Sequence, residues 1–360
     1  MRLASFNLEN LFTRPEVMNR ASWAEGAPIL ADVQELNTLI SKPNYSVADK
    51  AAIKKLLDKY QFGNPNKKNR PFKIEEVREH LYKAKGGTVQ IVANGRDAWT
   101  GWVELTRTDI DPVATSFTGK VIEALSADVQ CTIEVEDRLA LARFNEQILG
   151  DLFDAPYPAD MCVDGNDDRG IDVGILSKFP IVSVRSHIFD KDAKGEIFSR
   201  DCAEYEVLLP SGKTLWILVN HFKSKIGTPK TSNAKRHRQA TRAAEIYREA
   251  RTRSDFVAVV GDLNDTPESA PLDPLINKTD LRDISAHVLW QGAKGTYGTG
   301  NAKNSKIDYI LLSPALWQLV TAVGIERRGI YAPSLKIMWP GVTSTTAASD
   351  HAAIWVDLNV

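Results

Sequence analysis

Seven short apolar runs, each bounded by polar residues, constrain this chain more than any other feature: Leu3 to Phe6, Val129 to Val135, Ile171 to Leu176, Leu215 to Val219, Phe256 to Val260, Ile307 to Leu312 and Ala352 to Leu358. Their length and their β-branched and aliphatic content predict strands. Helical periodicity lies among them. Pro112 to Ser126 carries Val113, Phe117, Val121, Ile122 and Leu125 on one side, and Arg138 to Leu149 carries Leu141, Phe144 and Ile148. The chain has no regular βαβ rhythm and no G-x-G-x-x-G, which disfavours a doubly wound nucleotide-binding sheet. It has no internal repeat.

Residues 13–108 differ in texture and read as an insertion, a lid or specificity segment. Ser46-Val-Ala-Asp49 is a capping-box start for a helix to about Tyr60. Ile74, Val77 and Leu81 predict a second helix stopped by Gly86-Gly87, and Asn94-Gly95 predicts a hairpin turn between Thr88–Val92 and Trp99–Leu105. The net charge of -1 gives no global attraction to nucleic acid or to an acidic membrane, so any basic attraction is local. The start lacks the apolar core of a signal peptide and no run has the length of a membrane span, so the expected location is cytoplasmic. Cys131, Cys162 and Cys202 have no CxxC spacing and read as core residues.

The ends of the predicted strands share one character. Asn7 and Glu9 follow the first run, Glu134 and His221 end two others, and Asp262 with Asn264 follows a fourth. Asp308 begins a strand, and Asp350-His351 precedes the last. Each alone reads equally as a cap, an Asx turn or a solvated charge. Together they suit attack of water on a phosphate ester. Mg2+ takes one or two carboxylates plus waters, for which Glu134 with Asn7 and Asp350 is suited. A positioned base is met by His351 held by Asp308, while Asp262 and Asn264 orient the water and His221 donates to a phosphate oxygen.

The ordered set "FNLE", "TIEVED", "NHFKSK", "GDLNDTP", "KIDYILLS" and "SDHAAI" resembles the endonuclease/exonuclease/phosphatase superfamily, whose fold is that of deoxyribonuclease I. The resemblance covers residues 1–12 and about 112–358. It implies an α+β fold, a four-layer α/β/β/α sandwich with the site where strand ends meet at one edge, here with an inserted helical and hairpin segment. The 360 residues then form a single catalytic domain around the insertion. It also implies Mg2+ or Mn2+ and phosphoester cleavage. Asn7 and Glu134 match its metal positions, His221 and His351 its paired histidines, Asp262 and Asn264 its GDxN motif, Asp308 the carboxylate behind the final histidine, and Asp350 a site carboxylate. The family's usual Gln before the glutamate is Ile133 here.

The family hydrolyses nucleic acids, inositol phosphates, sphingomyelin and small phosphoesters, so the fold does not choose. From His221 to Arg242 there are seven Lys or Arg and no Asp or Glu. Beside a phosphate site, Lys223, Lys225, Arg236 and Arg238 would track a nucleic-acid backbone, with Arg169 reaching a phosphate from its Gly-rich loop. The same run also reads as a solvated loop entering a helix. The expectation is therefore a DNA or RNA nuclease acting as a monomer, with nucleic acid as its partner and no membrane. The alternatives are a phosphatase or phosphodiesterase for small, inositol or lipid phosphoesters, and a non-catalytic module. Asp164, Asn166 and Asp168 imitate a calcium loop, but Arg169 stands where glycine is needed and Ile175 where glutamate is needed.

Overall fold

The computed structural model describes residues 1–11, 23–67, 70–106, 112–167, 169–298 and 305–360. They divide into two compact units, Met1–Phe12 with Ile110–Val360, and Thr13–Asp109.

The first unit is built on two six-stranded sheets. One runs, edge to edge, Val320–Glu326, Ala353–Leu358, Arg2–Leu11, Val129–Val135, Asp172–Ser177 and Ala159–Val163. The other runs Arg282–Asp283, Asp308–Leu312, Val257–Asp262, Thr214–His221, Cys202–Leu208 and Ile181–Arg185. Period-two alternation sorts their side chains into layers. Leu215, Ile217 and Val219 join Ala258, Val260, Val129, Cys131 and Ile133 in the core between the sheets. Trp216, Leu218, Val257 and Val259 face the other way, onto Ala240, Ala243, Ile246 and Tyr247 of the helix Pro229–Arg251. The outer face of the first sheet sends Ala4, Phe6 and Leu176 against Val121, Ile122 and Leu125 of the helix Pro112–Leu125, and against Leu141 and Phe144 of the helix Arg138–Phe144. Helix, sheet, sheet and helix thus form the four layers expected from the motifs.

Both central strands of the second sheet are apolar on both faces because both faces are covered, one by a sheet and one by a helix. This explains why they read as unbroken hydrophobic runs. The helix predicted over Arg138 to Leu149 is α-helical only to Phe144 and then widens into a π-helical turn, Asn145–Leu152. There the Asn145 side chain donates to the Tyr157 carbonyl and accepts from the Tyr157 N–H, both at 2.8 Å.

The second unit has a core of its own, with Leu36, Ile53, Leu57, Phe72, Leu81 and Trp99 buried together. Its helix Val47–Lys59 begins with the expected capping box on Ser46 and Asp49. Two expectations fail here. Ile74 and Val77 lie on a strand, Phe72–Arg78, paired with Thr100–Leu105, and Leu81 follows it. Gly86-Gly87 forms the turn of a hairpin between Tyr82–Lys85 and Thr88–Ile91. Asn94-Gly95 makes no hairpin. Gly95 is extended, and a Cβ there would lie 1.8 Å from the Pro43 carbonyl oxygen, so this glycine serves a close backbone approach. Trp23 opens the helix Trp23–Ile40; its side chain, like Asp168, lies outside the described residues. Among those residues no helix is long and apolar enough to cross a membrane.

Candidate active site

Three neighbouring strands of the second sheet deliver site residues at one level. In the parallel pair His221 stands opposite Asp262, and in the adjacent antiparallel pair Asp262 stands opposite Asp308. Gly261 permits this. Its φ is +127°, and a Cβ would fall 1.9 Å from the Asn220 carbonyl oxygen, so only glycine allows the two strands this register.

The first sheet supplies the facing residues through irregular backbone. The pairing of Val129–Val135 with Arg2–Leu11 shifts beyond Asn7. Glu9 and Glu134 there have φ of 50° and 65°, a left-handed conformation that non-glycine residues adopt at a cost of about 1–3 kcal/mol. The shift breaks the alternation, so Ile133 points into the core between the sheets and Val135 onto the helix layer. Asn264 is likewise left-handed at 55°, where its N–H and its side-chain amide both bond Asp262, at 2.8 and 3.1 Å.

Asp262 Oδ2 is the hub. It lies 3.6 Å from His221 Nε2, 4.0 Å from His351 Nε2, 3.4 Å from Asn7 Nδ2 and 3.1 Å from Asn264 Nδ2. Asp308 meets His351 Nδ1 with both oxygens, at 2.9 and 3.1 Å, which leaves Nε2 facing the hub. Donor atoms of Asp262, Asp308 and His351 lie within 4.8 Å of one another. Because Asp308 is committed to the imidazole, this cluster is a hydrogen-bonded relay more than a cation cage. Burial pushes the Asp262 carboxyl up, and Asp308 adds to it. Burial alone would discharge His351, but the adjacent Asp308 and Asp262 outweigh it and push the imidazole up to about 10. His221 moves the other way, discharged by burial and then by Arg200, His351, Arg169 and Lys223. The surroundings therefore push the two histidines in opposite directions.

A cleft of about 570 Å³ opens over this cluster, with Glu134, Glu9 and Asp350 among the residues that line it. No Lys or Arg ion-pairs with these three carboxylates among the described residues. Among the described residues Glu134 meets only Asn7 Nδ2 at 3.2 Å and His221 at 3.8 Å, and Asp350 meets His351 at 3.7 Å. Hard carboxylate oxygens without a protein cation fit Mg2+ or Mn2+. Asn7 departs from its expected ligand role. Its Oδ1 accepts the Glu9 N–H at 3.0 Å, so its NH2 group, which cannot bind a cation, faces the cluster. Glu9 lines the cleft in its place, with a carboxyl raised by burial and by Asp350.

The basic run is also corrected. Arg236 is buried at 1% exposure, pairs with Asp265 at 3.0 Å and donates to the Lys223 carbonyl, so it braces the loop and cannot reach a phosphate. Arg238 is held by both oxygens of Asp192 at 2.5 and 2.6 Å. Lys225 lines the cleft but ion-pairs with Asp265 at 3.1 Å, and Lys223 has only Ser224 Oγ at 3.4 Å. Arg169 lines the cleft, gripped by Asp167. The lining residues that the sequence did not single out include Arg200 and Tyr297. Arg200 is hidden next to Asp201 at a strand start, and Tyr297, half-exposed, packs edge-on to His351 at 5.1 Å between ring centroids.

A family model described as Endonuclease/Exonuclease/phosphatase family matches residues 111–351. The chain belongs to this family. It is a phosphoric ester hydrolase, and the family's metal-dependent phosphoester hydrolysis agrees with the carboxylate-lined cleft. Two solved structures share the fold. A mannosyl-6-phosphatase of Bacteroides thetaiotaomicron is 17% identical with a TM-score of 0.52, over 69% of this chain and 91% of that one. A beta toxin of Staphylococcus aureus is 17% identical with a TM-score of 0.50, over 68% of this chain and 92% of that one. No curated protein matches in sequence.

Proposed function

We propose that this member of the family is a phosphodiesterase that cuts DNA or RNA, using Mg2+ or Mn2+ held by Glu134 with Glu9 and Asp350. The observation that carries the reading is the convergence of both histidines, Asn7 and Asn264 on one oxygen of Asp262. A bound divalent cation supplies positive charge to the phosphoryl oxygens. Asp262, oriented by Asn264 and Asn7, holds the attacking water and accepts its proton. His351, kept charged by Asp308, stabilises the developing phosphoryl charge, and His221, kept neutral, donates Nε2–H to a phosphoryl oxygen. Arg169, Arg200, Lys223 and Lys225 supply the local cations that favour a polyanion.

A second reading, a small phosphoester, draws support from Arg236 and Arg238, which internal pairing removes from any backbone-tracking surface. Both readings are tested with plasmid DNA, single strands, RNA, bis(p-nitrophenyl) phosphate and inositol phosphates, each with Mg2+, Mn2+ or EDTA. Nucleic acids should be cut and EDTA should stop the reaction. Glu134→Gln should lose most activity with its melting temperature unchanged, since an amide lacks the charge. Full activity in EDTA would refute the metal role, and turnover of inositol phosphates alone would favour the small ester.

A further inference from the structure

On the His221 side of the cleft three cations crowd together. Arg200 is 2% exposed; its Nη2 donates to the Phe222 carbonyl at 2.7 Å and its Nη1 to Asp167 at 3.3 Å. Its Nε is buried and finds no partner among the described residues. Such an orphaned, charged donor is costly unless something arrives to accept from it. Arg169 is held by the same Asp167, Nε at 3.1 Å and Nη2 at 3.0 Å, which fixes the fork instead of leaving it to sweep solvent. Lys223 follows its strand just after His221, anchored through its N–H to Gln239 Oε1 at 2.8 Å, and its ammonium meets no carboxylate among the described residues. Burial first, and then Arg200 and Arg169, make Lys223 a weaker base than usual, which marks the three as close neighbours. Asp167 is the only carboxylate hydrogen-bonded to any of them among the described residues.

The other flank is unlike this. Glu9, Asp350 and Tyr297 line it, with no guanidinium or ammonium among its described residues. Among the described residues the cleft is electrically one-sided.

We propose that Arg169, Arg200 and Lys223 form a subsite for a second anionic group of the substrate, a phosphate flanking the scissile one on the His221 side only. Two guanidinium groups and an ammonium suit a dianionic terminal phosphate, which accepts several charge-assisted bonds at once. The enzyme then reads the polarity of a strand from a single end. The inference rests on the phosphodiesterase reading above and names the substrate feature that its site selects.

The test uses the full chain with Mn2+ and four substrates: bis(p-nitrophenyl) phosphate, the dinucleotide TpT, and TpT bearing an added phosphate on either its 5′ or its 3′ end. One phosphorylated dinucleotide should exceed TpT in kcat/KM by about tenfold or more, mainly through KM, and the other should not. In Arg169→Gln and Lys223→Gln, whose side chains are less buried than Arg200, that ratio should collapse to about twofold or less. Equal enhancement by both end phosphates, enhancement by neither, or a ratio that survives Arg169→Gln would overturn the subsite while leaving the phosphodiesterase reading intact. Cleavage of none of the four with any divalent cation would overturn that reading, and the subsite with it.

Discussion

Asp308 and His351 give the sharpest test, because among the described residues the side-chain hydrogen bonds of Asp308 go to His351 alone. Asp308 is 2% exposed, and both its oxygens meet His351 Nδ1. In Asp308→Asn an amide oxygen still accepts from Nδ1–H, so the ring keeps its orientation but loses the adjacent charge. A charge-assisted bond contributes about 1.5–3 kcal/mol against about 0.5–1.5 for a neutral one, so roughly 1–2 kcal/mol is lost. At 1.36 kcal/mol per factor of ten this lowers kcat about 5- to 30-fold. His351→Ala removes the positioned group and should cost about 10²–10⁴. If Asp308 works through His351, the double variant matches His351→Ala within about twofold, and the coupling equals the whole of the Asp308 effect. The assay is kcat on bis(p-nitrophenyl) phosphate at saturating Mn2+, with urea unfolding of each variant as a control. A double variant slower than His351→Ala by the full Asp308 factor would refute the relay and give Asp308 a role of its own.

Arg236→Met should destabilise the protein by about 3–5 kcal/mol in urea, by stripping a partner from buried Asp265, while Arg238→Gln should leave the salt dependence of nucleic-acid binding unchanged. A flattened salt slope in Arg238→Gln would restore it to the binding surface. His187 is buried between Glu204 at 2.7 Å and Asp190 at 3.1 Å, and although burial opposes its charge, these carboxylates raise its pKa overall. A raised histidine stabilises fully below its unfolded value near 6.5 and loses that contribution as pH climbs through its folded value, so the urea midpoint should fall above about pH 6.5, less steeply in His187→Gln. The same slope in both proteins would exclude His187 as the cause. Replacing residues 13–109 with a short linker should change preference among substrates more than turnover of a small diester, because that unit has a buried core of its own. Equal losses on large and small substrates would make it a structural support.

The sandwich was legible because its central strands are apolar on both faces and end abruptly in Asn, Asp, Glu or His, a change that survives in a one-dimensional reading. The relay was legible for the same reason, since Asp308 and His351 each adjoin a strand. Arg236 and Arg238 misled because a local run without acids says nothing about partners 29 and 46 positions away, Asp265 and Asp192. Asn7 misled because residue type does not say which end of an amide faces the site; the Glu9 N–H decides that. Ile74, Val77 and Leu81 satisfy a helical spacing, yet pairing with Thr100–Leu105 overrode it, as tertiary contacts commonly do for short segments. Arg200 carried no signal, since an Arg-Asp pair before a strand looks like any surface ion pair until its burial is known.

Asn7 and His351 meet at 3.4 Å although 344 positions separate them, and the strand after His351 inserts between Arg2–Leu11 and Val320–Glu326. A ribosome adding about 5–20 residues per second takes about 17–70 s to travel from one to the other. Throughout that interval the nascent chain carries Asn7, then Glu134, His221 and Asp262, without the histidine that completes the cluster. The cluster therefore closes only once Ala353–Leu358 pairs into the sheet, and the chain made before that point lacks one of its two histidines.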